Sequence, residues 1–271
     1  MGDRKTLRIG VLGGAGRVGV ALRRELCNRV HTIRVLDLIK PPELSANETF
    51  RQTDMLDPHD LSAAFEGLDG IVHLAGIPKE APLQEILAVN VTGTTNVYEA
   101  ARRTGVGRVV LGSSNHVVGC YPRSAQVGPM DQMRPDGLYG LSKCWGELTA
   151  GLYWDKHGIR SLIIRIGNSS VRPMLPRSLE VWISPKDLCQ LTMIGLLHED
   201  VTATTVFGVS RGGGSWWDNS LAARMGYDPK DVISDHAAPE AFLPDEEGPV
   251  SRHFQGGRYV AADHDGVIRD R

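Results

Sequence analysis

Leu7-Arg8-Ile9-Gly10-Val11-Leu12-Gly13-Gly14-Ala15-Gly16-Arg17-Val18-Gly19 is the stretch on which the fold turns. The apolar run over 7–12 reads as a buried strand that ends in glycines. Helical apolar spacing follows over 16–27, at Val18, Val20, Leu22 and Leu26. The spacing Gly13-x-x-Gly16-x-x-Gly19 puts bare backbone where a pyrophosphate meets a helix N-terminus. A glycine-rich turn alone means little. Between a strand and a helix it reads as a dinucleotide site, with Arg17 and Val18 in the same turn.

The same logic extends along the chain. A strand over 31–37 ends in Asp37, roughly 20 residues past the glycines, where an acid accepts hydrogen bonds from the adenosine ribose. A carboxylate there repels a 2′-phosphate, so NAD is expected over NADP. Arg17 and Arg34 are the cations that would argue the other way. Further strands read over 50–53, 70–74, 108–112 and 160–166. Helices read over 58–65, capped by Asp57 with Pro58 in its first turn, and over 83–103 and 137–156. Strands alternating with helices predict a Rossmann-like α/β fold, a doubly wound parallel sheet with helices on both faces. One domain over 1–271 is expected. Residues 1–166 form mainly the dinucleotide-binding core. Residues 167–271 form a small C-terminal substrate-binding portion, with a helix from Ser184 through Leu197, a strand over 204–209 and a polar tail from Ala237. Asp54 and Met55 follow the third strand, within reach of the adenine. His73, Leu74, Ala75 and Gly76 end the fourth, and the last three line the cofactor's middle. For His73 a structural and a functional role stay equally open. Asn90 and Ser169 complete the expected cofactor set.

Composition narrows the class. The chain has 271 residues, 41% of them hydrophobic, and a net charge of −2. That balance argues against a nucleic-acid or anionic-membrane partner. No apolar run reaches the roughly 18 residues of a membrane span, and no signal-peptide pattern opens the chain. Cys27, Cys120, Cys144 and Cys189 are widely spaced, without a Cys-x-x-Cys pair. They predict neither a disulfide frame nor a metal site, and suit a reducing, cytoplasmic setting.

The chemistry reads from Tyr139-Gly140-Leu141-Ser142-Lys143. A phenol and an amine four residues apart share one helix face. The ammonium favours the phenolate, which would let the tyrosine exchange protons near neutral pH. Ser114, at the end of the fifth strand, can hydrogen-bond a reacting oxygen. The set suits alcohol–carbonyl interconversion.

With these residues the chain resembles the extended short-chain dehydrogenase/reductases, and more closely the uronate dehydrogenases. The latter likeness rests on Ser114-Asn115-His116, on 134–143, on Arg165-Ile166-Gly167, on Trp216-Trp217-Asp218-Asn219 and on Phe254-Gln255-Gly256-Gly257. The resemblance implies that Ser114 orients the substrate and Tyr139 is the base. It implies that Lys143 holds the nicotinamide ribose and lowers the tyrosine pKa. The reaction implied is NAD-dependent oxidation of the C1 hydroxyl of a hexuronic acid, such as glucuronate or galacturonate, to an aldarolactone. Asn115 and His116 would bind sugar hydroxyls, and Arg177 the carboxylate, for which a guanidinium fork is suited. Association through the long helices, and so a homo-oligomer, is a family expectation. Pro78 and Asn168 stand at substrate positions where relatives carry serine, which leaves the particular sugar open. Another sugar or sugar-acid dehydrogenase, a nucleotide-sugar epimerase or dehydratase, and a dinucleotide-sensing regulator are the alternatives. Trp216 to Asn219 are read as structural, sealing the C-terminal segment onto the core.

Overall fold

Alternation along buried strands builds the core. Ile9 and Val11 of β1 (Arg8–Leu12) join one apolar cluster, while Leu12 joins another. The same split recurs in β2 (Thr32–Asp37), β4 (Gly70–His73), β5 (Arg108–Ser114) and β6 (Arg160–Ile166). Side chains alternating between two buried faces require helices on both. The computed structural model describes residues 6–173, 176–213, 216–238 and 248–269. With β3 (Glu48–Gln52) and β9 (Ala203–Gly208) the strands form a seven-stranded sheet in the order β3-β2-β1-β4-β5-β6-β9. Every pairing is parallel.

Helices α1 (Arg17–Leu26) and α7 (Pro185–Leu197) cover one face. Helices α2 (Pro58–Phe65), α4 (Gly93–Thr104) and α5 (Leu138–His157) cover the other. Local signals fix several starts. Asp57 accepts from the backbone N–H groups of His59 and Asp60, and Ser184 from that of Asp187. The chain leaves β1 for β2 and β3, then crosses back to β4 on the other side. That reversal opens a crevice beyond the carboxyl ends of β1 and β4.

The helix expected over 83–103 is instead α3 (Leu83–Ile86), a wide π turn (Leu87–Thr92) and α4. The wide turn carries Asn90, whose amide fastens the loop after β4. Its Oδ1 accepts from Ile77 N at 2.8 Å, and Nδ2 donates to Ile77 O and to Ser142 Oγ. Such bulges place side chains that a regular helix would turn away. Strand β5 runs further than expected, because Ser113 and Ser114 still pair with Arg165 and Ile166 of β6.

Beyond β6 lie β7 (Asn168–Ser169), α6 (Ser178–Val181), β8 (Trp182–Ile183), α8 (Ser220–Arg224), α9 (Ile233–His236), α10 (Pro249–His253) and α11 (Arg258–Ala261). Trp217 stacks on Phe207, with ring centroids 4.8 Å apart, and its Nε1 donates to Gln255 Oε1 at 3.0 Å. The tryptophans thus seal the C-terminal segment as expected. Residues 239–247 of the polar tail lie outside the described residues. No described helix is long and apolar enough to cross a membrane.

Candidate active site

The glycine turn is shaped by close approach. Gly13 has φ +81°, and a Cβ there would lie 2.5 Å from Ala75 N. A Cβ on Gly19 would lie 2.3 Å from Gly13 O, so α1 starts directly against the turn. Arg23 supports the turn from below, donating to Gly14 O at 3.0 Å and to Glu48 Oε1 at 3.0 Å. Asp37 Oδ2 accepts from Ala15 N at 2.9 Å, which binds the acidic strand end to the turn.

A cavity of about 650 Å³ opens here. Gly13, Gly16, Arg17, Val18, Gly19 and Asp37 line it. Asp54, Met55, Leu74, Ala75, Gly76 and Pro78 line it as well. Backbone bared by glycine, a helix N-terminus and a carboxylate at the end of β2 fit NAD. Arg34 is elsewhere: it donates to Ala64 O and Glu66 O and closes the end of α2. Arg17 donates to Ser169 O at 2.6 Å, crossing from the turn to β7. Of the expected cofactor residues, Asn90, Lys143 and Ser169 do not line this cavity. Asn90 fastens Ile77, Ser169 receives Arg17, and Lys143 lies toward β5.

The reactive half forms where β5 ends. Ser114 caps the 3₁₀ turn Asn115–Val118, its Oγ accepting from His116 N at 3.2 Å. Tyr139 is buried in the first turn of α5, near enough to Ser114 for that side chain to act on its phenol. Lys143, one turn on, donates to Gly112 O at 2.9 Å, with Nζ 5.8 Å from the Tyr139 ring centroid. Serine, tyrosine and lysine therefore converge. Their electrostatics differ from the expectation. Burial pushes the Tyr139 phenol up to about 12, opposed by the Ser114 hydrogen bond and reinforced by Tyr259 and Asp136. Burial also pushes Lys143 down to about 8, opposed by Glu147. Desolvation dominates both shifts, so the phenol stays protonated at neutral pH.

The substrate side is polar and crowded. Asn115 is 2% exposed and its Nδ2 has no hydrogen-bond partner. His116 Nδ1 is 2.6 Å from Asp136 Oδ2. Tyr259 stacks on the His116 ring with centroids 3.8 Å apart, and its hydroxyl donates to Pro78 O at 3.4 Å. Asn168 Oδ1 accepts from Ser170 Oγ. Arg177 is half-buried, donates to Gln255 O, and its charge acts on Tyr259. Gln255, fully buried, also donates to Pro122 O and Ala125 O, and so ties the C-terminal strap across the site.

Sequence reasoning missed Glu80, Asp136, Gln255 and Tyr259 as site residues. Asp136 and Gln255 stood inside motifs already singled out, and Tyr259 lies just past one. Glu80 has no local signal: it reaches α5 from the loop after β4.

Comparison with known proteins accords with this geometry. Residues 9–170 match the NAD dependent epimerase/dehydratase family. A uronate dehydrogenase of Pseudomonas syringae pv. tomato is 38% identical over 258 residues, covering 94% of each chain. One from Pseudomonas putida is 39% identical, covering 94% of this chain and 96% of the relative. A mutant uronate dehydrogenase from Agrobacterium tumefaciens, crystallised with NAD, superposes with a TM-score of 0.85 at 36% identity. It covers 98% of this chain and 100% of that one. Likeness of this degree runs through the cofactor half and the C-terminal strap alike, and the chain belongs to the NAD dependent epimerase/dehydratase family, among its uronate dehydrogenases, as an NAD-dependent oxidoreductase.

Proposed function

We propose that the protein oxidises the anomeric C1 hydroxyl of a hexuronic acid, of the glucuronate or galacturonate kind, to an aldarolactone, with NAD as the oxidant. One observation carries the reading toward a polyhydroxyl substrate. Next to the Ser114–Tyr139 hydroxyl pair stands Nδ2 of Asn115, a buried donor without a partner. Leaving it so costs about 1–3 kcal/mol, which a sugar oxygen offsets. The relatives named for uronate oxidation give the substrate class.

In this reading Gly13, Gly16 and Gly19 admit the pyrophosphate to the N-terminus of α1, and Asp37 holds the adenosine ribose. NAD, when bound, supplies the hydride-accepting nicotinamide. Ser114 and Tyr139 hold the reacting hydroxyl, and Tyr139, in its ionised form, takes its proton. Lys143 contributes positive charge to the phenolate and contacts the cofactor ribose. Asn115, His116 and Asn168 meet sugar hydroxyls, with Pro78 as an apolar wall. Arg177 supplies the counter-charge for the substrate carboxylate. Fixing these contacts at once supplies orientation, a large part of the rate.

The test is NADH release across uronates, neutral aldoses and nucleotide sugars, with NAD and NADP compared. Uronate with NAD is the expected pair. Turnover of neutral sugars alone would overturn the role of Arg177, and turnover of nucleotide sugars alone would favour an epimerase or dehydratase.

Association as a homo-oligomer is part of the same reading. Leu141, Trp145, Leu148 and Leu152 form one stripe along α5 and are 54%, 49%, 65% and 52% exposed. A second copy packing on this stripe would cover it. Light scattering should find a dimer or larger assembly that Leu148→Glu dissociates; a monomeric parent protein would refute this.

A further inference from the structure

We infer that Asp136 is a positioning residue for substrate recognition, fixing a proton on Nδ1 of His116 so that Nε2 meets the sugar as a hydrogen-bond acceptor. This rests on the sugar-oxidation reading above. A carboxylate can only accept, so the 2.6 Å contact between Asp136 Oδ2 and Nδ1 places a proton on Nδ1. The Asp136 side chain is fully buried. Nε2, across the ring, has no hydrogen-bond partner among the described residues. Tyr259 stacks on one face of the ring at 3.8 Å, and Tyr139 meets it edge-on at 5.8 Å. Ser114 Oγ holds the His116 backbone N–H. The ring is therefore gripped on several sides.

The backbone is cleared for this carboxylate. A Cβ on Gly119 would lie 1.9 Å from Asp136 Oδ2, and one on Gly256 would lie 2.0 Å from it. A Cβ on Gly140 would lie 3.0 Å from Oδ1. Three separate segments thus carry glycine around one side chain, although its Oδ1 is left without a partner. Burying a half-satisfied carboxylate is unfavourable for the fold alone. The arrangement does useful work on the substrate. Asn115 Nδ2 and Arg177 offer donors, while Nε2, with the ring proton held on Nδ1, offers an acceptor. The site then accepts from one sugar O–H at His116 and discriminates against a deoxy or keto carbon there.

The test combines Asp136→Asn, His116→Asn and the double variant. Histidine ¹⁵N NMR of the free wild-type protein should show His116 protonated on Nδ1, and Asp136→Asn should move the proton toward Nε2, because an amide can also donate. In kinetics, Asp136→Asn should raise KM for the sugar about 10- to 100-fold, with a smaller change in kcat and none in KM for NAD. Added to His116→Asn, it should cost less than about twofold more, since it acts through His116. An Nε2-protonated His116 in the wild type overturns the inference even if the variants fold poorly. So does an equal loss in the two backgrounds. The tautomer is read without substrate, so its failure is separable from failure of the uronate reading.

Discussion

Glu80 accepts a hydrogen bond from the backbone N–H of Tyr139 at 2.9 Å, across 59 residues of chain. Its other oxygen accepts from Leu138 N at 3.1 Å. Gly137, at the N-cap of α5, offers no side chain, and a Cβ there would lie 2.3 Å from Glu80 Oε1. A distant carboxylate thus caps the helix that begins with the reactive tyrosine, where negative charge suits the helix dipole.

Glu80→Ala should therefore lower stability by about 1 kcal/mol in urea unfolding. It should also reduce kcat, by loosening the first turn of α5. Unchanged kcat with lowered stability would confine Glu80 to the fold.

Tyr139→Phe should lower kcat by about 10²- to 10⁴-fold while leaving NAD affinity, read by titration, nearly intact. With the phenol pushed up to about 12, its ionised fraction grows as pH rises, so wild-type oxidation should speed up above neutral pH. The rise should flatten above about 8, where Lys143 discharges and ceases to favour the phenolate. A flat pH profile would contradict this assignment.

Glu147 and Arg165 form a buried pair at 2.8 Å, with side chains 2% and 1% exposed. Ser113 Oγ also donates to Glu147, at 2.6 Å. The pair fastens α5 to β5 and β6. Arg165→Met leaves the carboxylate buried and should cost about 3–5 kcal/mol in chemical denaturation. Adding Glu147→Gln should recover part of that loss, as expected for coupled sites.

His73 gives a pH signature of stability. Burial, helped by the charge of Lys143, pushes its pKa down to about 3 from an ordinary 6.5. Between those values the unfolded chain binds a proton that the folded one does not. Stability is thus lost as pH falls from about 6.5 toward about 3, by at most about 1.4 kcal/mol per pH unit. His73→Gln should flatten the melting temperature over that window. An unchanged slope would show that other groups govern acid unfolding.

What could be read in advance was whatever local spacing encodes. Gly13, Gly16 and Gly19 declare a turn, Asp37 ends a strand, and Tyr139 and Lys143 share a helix face. A parallel, doubly wound sheet followed from alternation of elements. The wide turn at Leu87–Thr92 was hidden, because Asn90 owes its place to Ile77 and Ser142 rather than to its neighbours in sequence. The high pKa of Tyr139 was hidden too, since it depends on burial that pairing with Lys143 does not reveal. Arg34 carried a charge that could have argued against NAD, and its use at the end of α2 was not encoded locally. Asp136, Tyr259 and Glu80 act through residues far along the chain, where periodicity carries no information.

The Gln255 tie makes the two halves of the site depend on different parts of the chain. The cofactor cavity is lined from Leu12 to Val89, within the first third of the chain. Arg177 and Tyr259 owe their places to the strap, which is tied to Tyr121, Pro122 and Ala125. A lesion in the strap should therefore cost the sugar its site before it costs NAD its own.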